Sequence, residues 1–154
     1  MTDVLKLLAV VSLGVAPTAL AAQSLVDATD PAAIAEIARG YGAVEVTTDA
    51  VGDPMLRGRM EGVQYLVLFY GCESGRNCTN IQFQAAWVNN GSTTEQDLEA
   101  WNRDNRFGKA HMDAEYDPVI QWDVNLFGGV SRANLDDTFD WWRVVLDKFE
   151  TYLN

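Results

Sequence analysis

The sequence predicts an α+β domain, one antiparallel sheet with helices in the order α-β-β-β-β-α-β-β-α. Three observations carry this. Two alternating apolar runs, Val63 to Tyr70 and Thr79 to Val88, flank a short polar segment that contains Gly75. A second pair, Lys109 to Glu115 and Pro118 to Leu126, flanks Tyr116-Asp117. Near the C-terminus, Leu135, Phe139, Trp142, Leu146, Phe149 and Leu153 fall at steps of 4, 3, 4, 3 and 4, the period of an amphipathic helix.

Taken in order, residues 1–21 have the pattern of a secretory signal peptide. Lys6 supplies a weak basic start, Leu7 to Val15 a short apolar run, and Ala19-Leu20-Ala21 the small-x-small site after which cleavage is expected. The apolar run is too short for a membrane span. No Cys follows the site, so a lipid anchor is not indicated. Residues 22–154 then form a single domain. Asp30 caps the first helix and Pro31 suits its first position, with Gly40 as its stop. Tyr41 to Thr48 reads as a strand, and Asp49 to Pro54 as a turn. Met55 to Met60, carrying Arg57 and Arg59, reads as a short strand near a sheet edge.

The hairpin of residues 63–88 sits at the centre. In its first arm Val63, Tyr65, Val67 and Phe69 share one face, and Leu66, Leu68 and Tyr70 the other, so both faces are expected to be covered. In its second arm Ile81, Phe83, Ala85 and Trp87 oppose Asn80, Gln82, Gln84, Ala86 and Val88. That half-polar face suits partial exposure or a shallow groove. Gly75 and Asn77 tolerate the positive φ of a tight reversal. Cys72 and Cys78 face each other across this turn, and a disulfide between them is predicted, two buried free thiols being the alternative. Five residues separate them, so a CxxC redox site does not fit. Export and paired cysteines support each other, because disulfides persist in oxidising compartments.

Ser92 and Glu95 offer a capping box for the next helix, along which Leu98, Trp101 and Asn102 lie at helical spacing. Ile120, Trp122, Val124 and Leu126 alternate with Gln121, Asp123 and Asn125 in a half-buried strand, and Ser131 caps the last helix. Trp141, Val145 and Tyr152 widen the stripe of that helix. A stripe so aromatic serves as core, or in part, at Trp141 and Trp142, as a dimer or client surface.

The chain of 154 residues carries a formal net charge of −11, which disfavours nucleic acid and anionic membranes as partners. His111 is the only histidine, and its alternation with Lys109 and Asp113 places it toward solvent. No nucleophile motif surrounds it. Asp113, Glu115 and Asp117 sit at every second position, but an EF-hand loop would need Gly and Glu where Pro118 and Val124 stand. A solvated acidic turn is expected. No catalytic residue, cofactor or metal site is predicted. Asn102, Arg103, Asn105 and Arg106 form the one polar cluster with two readings. The arginines form a recognition patch for carboxylates or carbonyls, or the asparagines cap the helix and the arginines pair with acids of the 113–123 hairpin.

FYGC with the later Cys78, LEAWNRDNRFGKAHMD, VNLFGGVS and the aromatic terminal helix together resemble the YbjN-domain family of bacterial sensory transduction regulators. The resemblance spans roughly Ala33 to Leu153, and WNRDNRFGKA is its most specific part. It implies a fold similar to the type III secretion chaperones and a non-enzymatic, chaperone-like or regulatory role. The expectation is therefore an exported bacterial module, periplasmic or secreted, that binds a protein or peptide and forms a homodimer. Its binding residues would be Trp101, Asn102, Arg103, Asn105, Arg106, Trp141 and Trp142. A sensor for a small ligand or ion is the alternative.

Overall fold

A computed structural model describes residues 24–154, so the expected signal peptide lies outside the described residues. Within them the order is β1 (Leu25–Val26), α1 (Pro31–Ala38), β2 (Val44–Thr48), β3 (Pro54–Met60), β4 (Val63–Tyr70), β5 (Asn80–Ala86), α2 (Glu95–Asp104), β6 (Lys109–Met112), β7 (Pro118–Asn125), β8 (Val130–Ser131) and α3 (Arg132–Leu153). Six strands form one antiparallel sheet in the order β2-β3-β4-β5-β7-β6. β1 and β8 pair separately, and the sequence reading did not include them.

The β4–β5 hairpin is central, as its alternation predicts. Val67 faces Phe83 and Phe69 faces Ile81, all four buried. The tip turns through Ser74, Gly75 and Asn77, whose φ values are 52°, 73° and 52°. The disulfide between Cys72 and Cys78 closes it, with Cα atoms 3.9 Å apart. β3 lies second from one side and β2 takes the edge.

α3 lays its stripe across the Phe83 face. Phe139 meets the Phe83 ring edge-on at 5.0 Å, and the Trp142 ring lies 5.3 Å from it. Phe149 joins Trp87 and Trp101 at 5.3 and 4.9 Å, which ties α2 into the same core. α1 packs on α3, β2 and β3. Tyr65 lies over Gly58, where a Cβ would sit 2.3 Å from the ring.

Cover on both faces of β4 is not what forms. Val63, Tyr65, Val67 and Phe69 are buried, while Gln64 and Tyr70 are exposed and Leu66 and Leu68 half-buried. The helices all pack on one side, so the opposite sheet face carries only its own side chains. Three boundaries also move. Tyr41 turns off α1 through its N–H to the Ala38 carbonyl and anchors its hydroxyl on the Asp136 carbonyl at 2.8 Å, so β2 starts at Val44. The Asp113 carboxylate accepts the N–H groups of Glu115 and Asp117 at 3.0 and 2.9 Å, which ends β6 at Met112. The capping box of α2 is Thr94 with Asp97, two residues beyond the expected Ser92 and Glu95. The Asp97 carboxylate accepts the Thr94 N–H at 2.9 Å, and Thr94 Oγ1 accepts the Asp97 N–H at 3.3 Å.

Candidate functional site

The segment WNRDNRFGKA divides into residues that build a corner and residues that the corner displays. Gly108 has a φ of 73°, and a Cβ there would meet Ile120 Cδ1 at 2.7 Å and Val145 Cγ1 at 2.8 Å. Only glycine lets the chain turn here while packed against β7 and α3. The Trp101 indole N–H donates to the Gly108 carbonyl at 3.0 Å and fixes the turn to α2. Asn102 grips β6 with both ends of its amide. Nδ2 donates to the Ala110 carbonyl at 2.8 Å, and Oδ1 accepts the Ala110 N–H at 2.7 Å. Asn105 returns to the Trp101 carbonyl through its backbone and side-chain N–H groups. Lys109 Nζ reaches the carbonyls of Asn102 and Asn105 at 3.0 and 3.3 Å, a cation at the negative end of the helix.

Arg103, Asp104 and Arg106 are turned out to solvent. Arg103 pairs only with its neighbour Asp104, at 3.5 Å and well exposed, a contact of little energetic weight. The Arg106 guanidinium lies 5.1 Å from the centroid of Phe107. Among the described residues neither arginine pairs with an acid of the 113–123 hairpin. Half of that expectation is therefore corrected. The asparagines do bond the corner, but Arg103 meets only the adjacent Asp104 and Arg106 lies over Phe107, so neither is turned to the hairpin acids.

Arg106 instead borders a cleft of about 290 Å³ between the end of α2 and the middle of α3. Trp101, Asp104, Asn105, Arg106 and Phe107 form one wall, and Trp141, Val144, Val145 and Lys148 the other. Phe107 stacks on Trp122 at 4.7 Å and meets Trp141 at 5.3 Å, so an aromatic ladder runs from the core to the surface with Arg106 above it. Trp141 is 44% exposed, whereas Trp101 is 3% exposed and Trp142 fully buried. Trp142 belongs to the core, and its indole N–H has no partner among the described residues. The cleft thus joins Trp101, Asn105, Arg106 and Trp141 of the sequence-predicted set. Asn102 is spent on β6, and Arg103 and Trp142 lie outside the cleft.

Asp104, Phe107, Val144 and Lys148 were not singled out from the sequence. A usable signal existed, since Trp141, Val144, Val145 and Lys148 sit at i, i+3, i+4 and i+7 on one side of α3.

The bare sheet face holds a wider trough of about 730 Å³, bordered by Glu45, Arg57, Arg59, Gln64, Leu66 and Gln84. The half-polar face foreseen for β5 forms part of it, and Arg59 there is held by the Gly62 carbonyl at 2.7 Å. His111 is exposed on β6, and Asp113 and Asp117 are engaged with backbone N–H groups. Among the described residues no group of three or more His, Cys, Asp or Glu side chains is placed to share a metal ion.

A family model described as "YbjN: Putative bacterial sensory transduction regulator" matches residues 30–154. No curated protein matches the chain.

Proposed function

The chain belongs to the YbjN family, whose description is that of a regulator rather than an enzyme, and from that premise we propose that it is an exported regulatory module that binds a protein or peptide partner. The observation that carries this reading is the α2–α3 cleft. In a chain of net charge −11 it presents two cations, Arg106 and Lys148, against one acid, Asp104, which pairs with Arg103, beside the exposed Trp141 and the half-buried Phe107. Cations set against aromatic surface suit a segment that carries a carboxylate next to an apolar side chain. Export is supported by the Cys72–Cys78 disulfide, which fits an oxidising compartment. No helix among the described residues is long and apolar enough to cross a membrane.

The test is crosslinking and affinity capture of the tagged protein from its native envelope, read by mass spectrometry. One or two reproducible partners are expected, weakened about tenfold or more by Arg106→Ala or Trp141→Ala. Both side chains are exposed, so the melting temperature of these variants should stay near that of the parent. Capture unchanged by both substitutions sinks the cleft as the partner site. The trough favours a second reading, a small-ligand sensor, because its volume falls in the range of small-molecule sites. Blank capture with a melting-temperature rise in a metabolite screen, abolished by Arg57→Ala, would move the function there.

A further inference from the structure

The two edges of the sheet are finished differently. Along β2 the Ala43 carbonyl accepts the Arg59 N–H at 3.0 Å, and the Asp49 N–H reaches the Asp53 carbonyl at 2.9 Å. Hydrogen-bonded pairs alternate along an antiparallel ladder. Ala43, Glu45, Thr47 and Asp49 therefore turn their backbone groups toward β3, in the register that pairs Glu45 with Arg57 and Thr47 with Met55. Val44, Val46 and Thr48 turn theirs outward, where no strand or side chain among the described residues meets them. The edge is β-branched apart from Glu45, carries no proline, lysine or bulge to blunt it, and leaves Val46 44% exposed.

The other edge is obstructed at its middle. On β6 the Asp113 N–H bonds the Asp117 carbonyl, so Ala110 is an outward residue, and both its backbone groups are taken by the Asn102 amide. A side chain of α2 thus stands where a neighbouring strand would.

We infer that the β2 edge pairs antiparallel with the β2 edge of a second copy, about a two-fold axis at Val46. In that register Val46 faces its own counterpart and Val44 faces the partner's Thr48. Outward backbone groups then meet outward backbone groups along the whole edge. Glu45 faces the partner's Thr47, so no charge lies directly opposite a like charge. The two Glu45 side chains come no closer than a diagonal, about 7 Å, and each stands across from Arg57 on its own β3. Pairing consumes both β2 edges, and on each β6 edge the Asn102 amide on Ala110 blocks a continuous ladder to a third copy. The assembly is closed and isologous rather than a growing fibre. It leaves the α2–α3 cleft out of the pairing and does not depend on what that cleft binds.

The experiment is sedimentation of the purified protein over a concentration series, with three variants. The parent should reach twice the monomer mass, more readily as salt screens the acidic surface. Val46→Pro removes an outward N–H that no intrachain bond uses, so the variant should stay folded by circular dichroism and become monomeric. Val46→Cys should oxidise to a covalent dimer, because facing Cα atoms of a hydrogen-bonded pair lie about 5.5 Å apart. Val44→Cys alone should not, since its position faces the partner's Thr48. A parent that stays monomeric at every concentration, a dimer untouched by Val46→Pro, or equal crosslinking at both cysteine positions would each overturn the inference.

Discussion

Tyr65 and Gly58 form a pair whose logic lies in their contact. The ring is 2% exposed and rests on the glycine Cα, where a methyl group would come within 2.3 Å. Gly58→Ala should therefore cost about 1–3 kcal/mol, read from urea unfolding, because ring and backbone must separate in a packed layer. Burial also pushes the Tyr65 phenol from 10.0 up to about 12. In the unfolded chain it ionises near 10, so its contribution is intact below pH 10 and is lost as pH rises toward 12. The loss should be about 2–3 kcal/mol, and Tyr65→Phe should flatten that limb of the pH–stability curve. Gly108 makes the same point at the cleft. With a φ of 73° and Ile120 and Val145 against it, Gly108→Ala should destabilise the fold and blunt partner capture together, unlike Arg106→Ala. None of these contacts is written in the local pattern, since a glycine in a strand or loop reads alike whether or not a ring lies on it.

At the scale of the element, α2 shows how a start signal can be correct in kind and misplaced. Ser92 and Thr94 both head plausible boxes, and Thr94 wins because Asp97 closes on it while Leu98 and Trp101 then fall inward. Thr94→Ala should cost about 1 kcal/mol of stability and Ser92→Ala almost nothing. The hydrogen bonds from the Thr94 hydroxyl and backbone N–H hold the Asp97 carboxyl below its ordinary value. The stabilisation this gives is full above that ordinary value and is lost as pH falls through the lowered one. An acid titration should therefore show the gap between parent and Thr94→Ala narrow at low pH, the remainder being the bond from the Asp97 N–H to Thr94 Oγ1. The stripe of α3 was legible because 3.6-residue periodicity is imposed by the helix itself, and Leu135, Phe139, Trp142, Leu146 and Phe149 are all buried. β1 and β8 escaped because two residues carry no period.

For the whole molecule, the disulfide and the unequal faces of the sheet matter most. Replacing Cys72 by Ser and Cys78 by Ala together should lower stability by about 2 kcal/mol in the loop-entropy account, measured against the parent under oxidising conditions. The tip lies away from the cleft, so partner capture should survive at temperatures where the double variant stays folded. The apolar half of the sheet faces all three helices, and the other half keeps Arg57, Gln64, Gln84 and Gln121 toward water. Sheet order placed one open edge and one capped at Ala110 on the same molecule.

The sequence by itself determined the class of fold, the central hairpin with its disulfide, the terminal helix and the family resemblance. These depend on periods of two and 3.6, on turn residues and on spacing, which are local properties of a chain. Tertiary structure decided that Trp101 and Trp142 are core while Trp141 and Phe107 reach a cleft. It also set the Asn102 amide on the backbone of Ala110 at a sheet edge, and left one face of β4 half bare. Those outcomes depend on which side of the sheet the helices occupy and on where α2 ends against α3. Such long-range choices are made by packing, and no short window of sequence contains both partners.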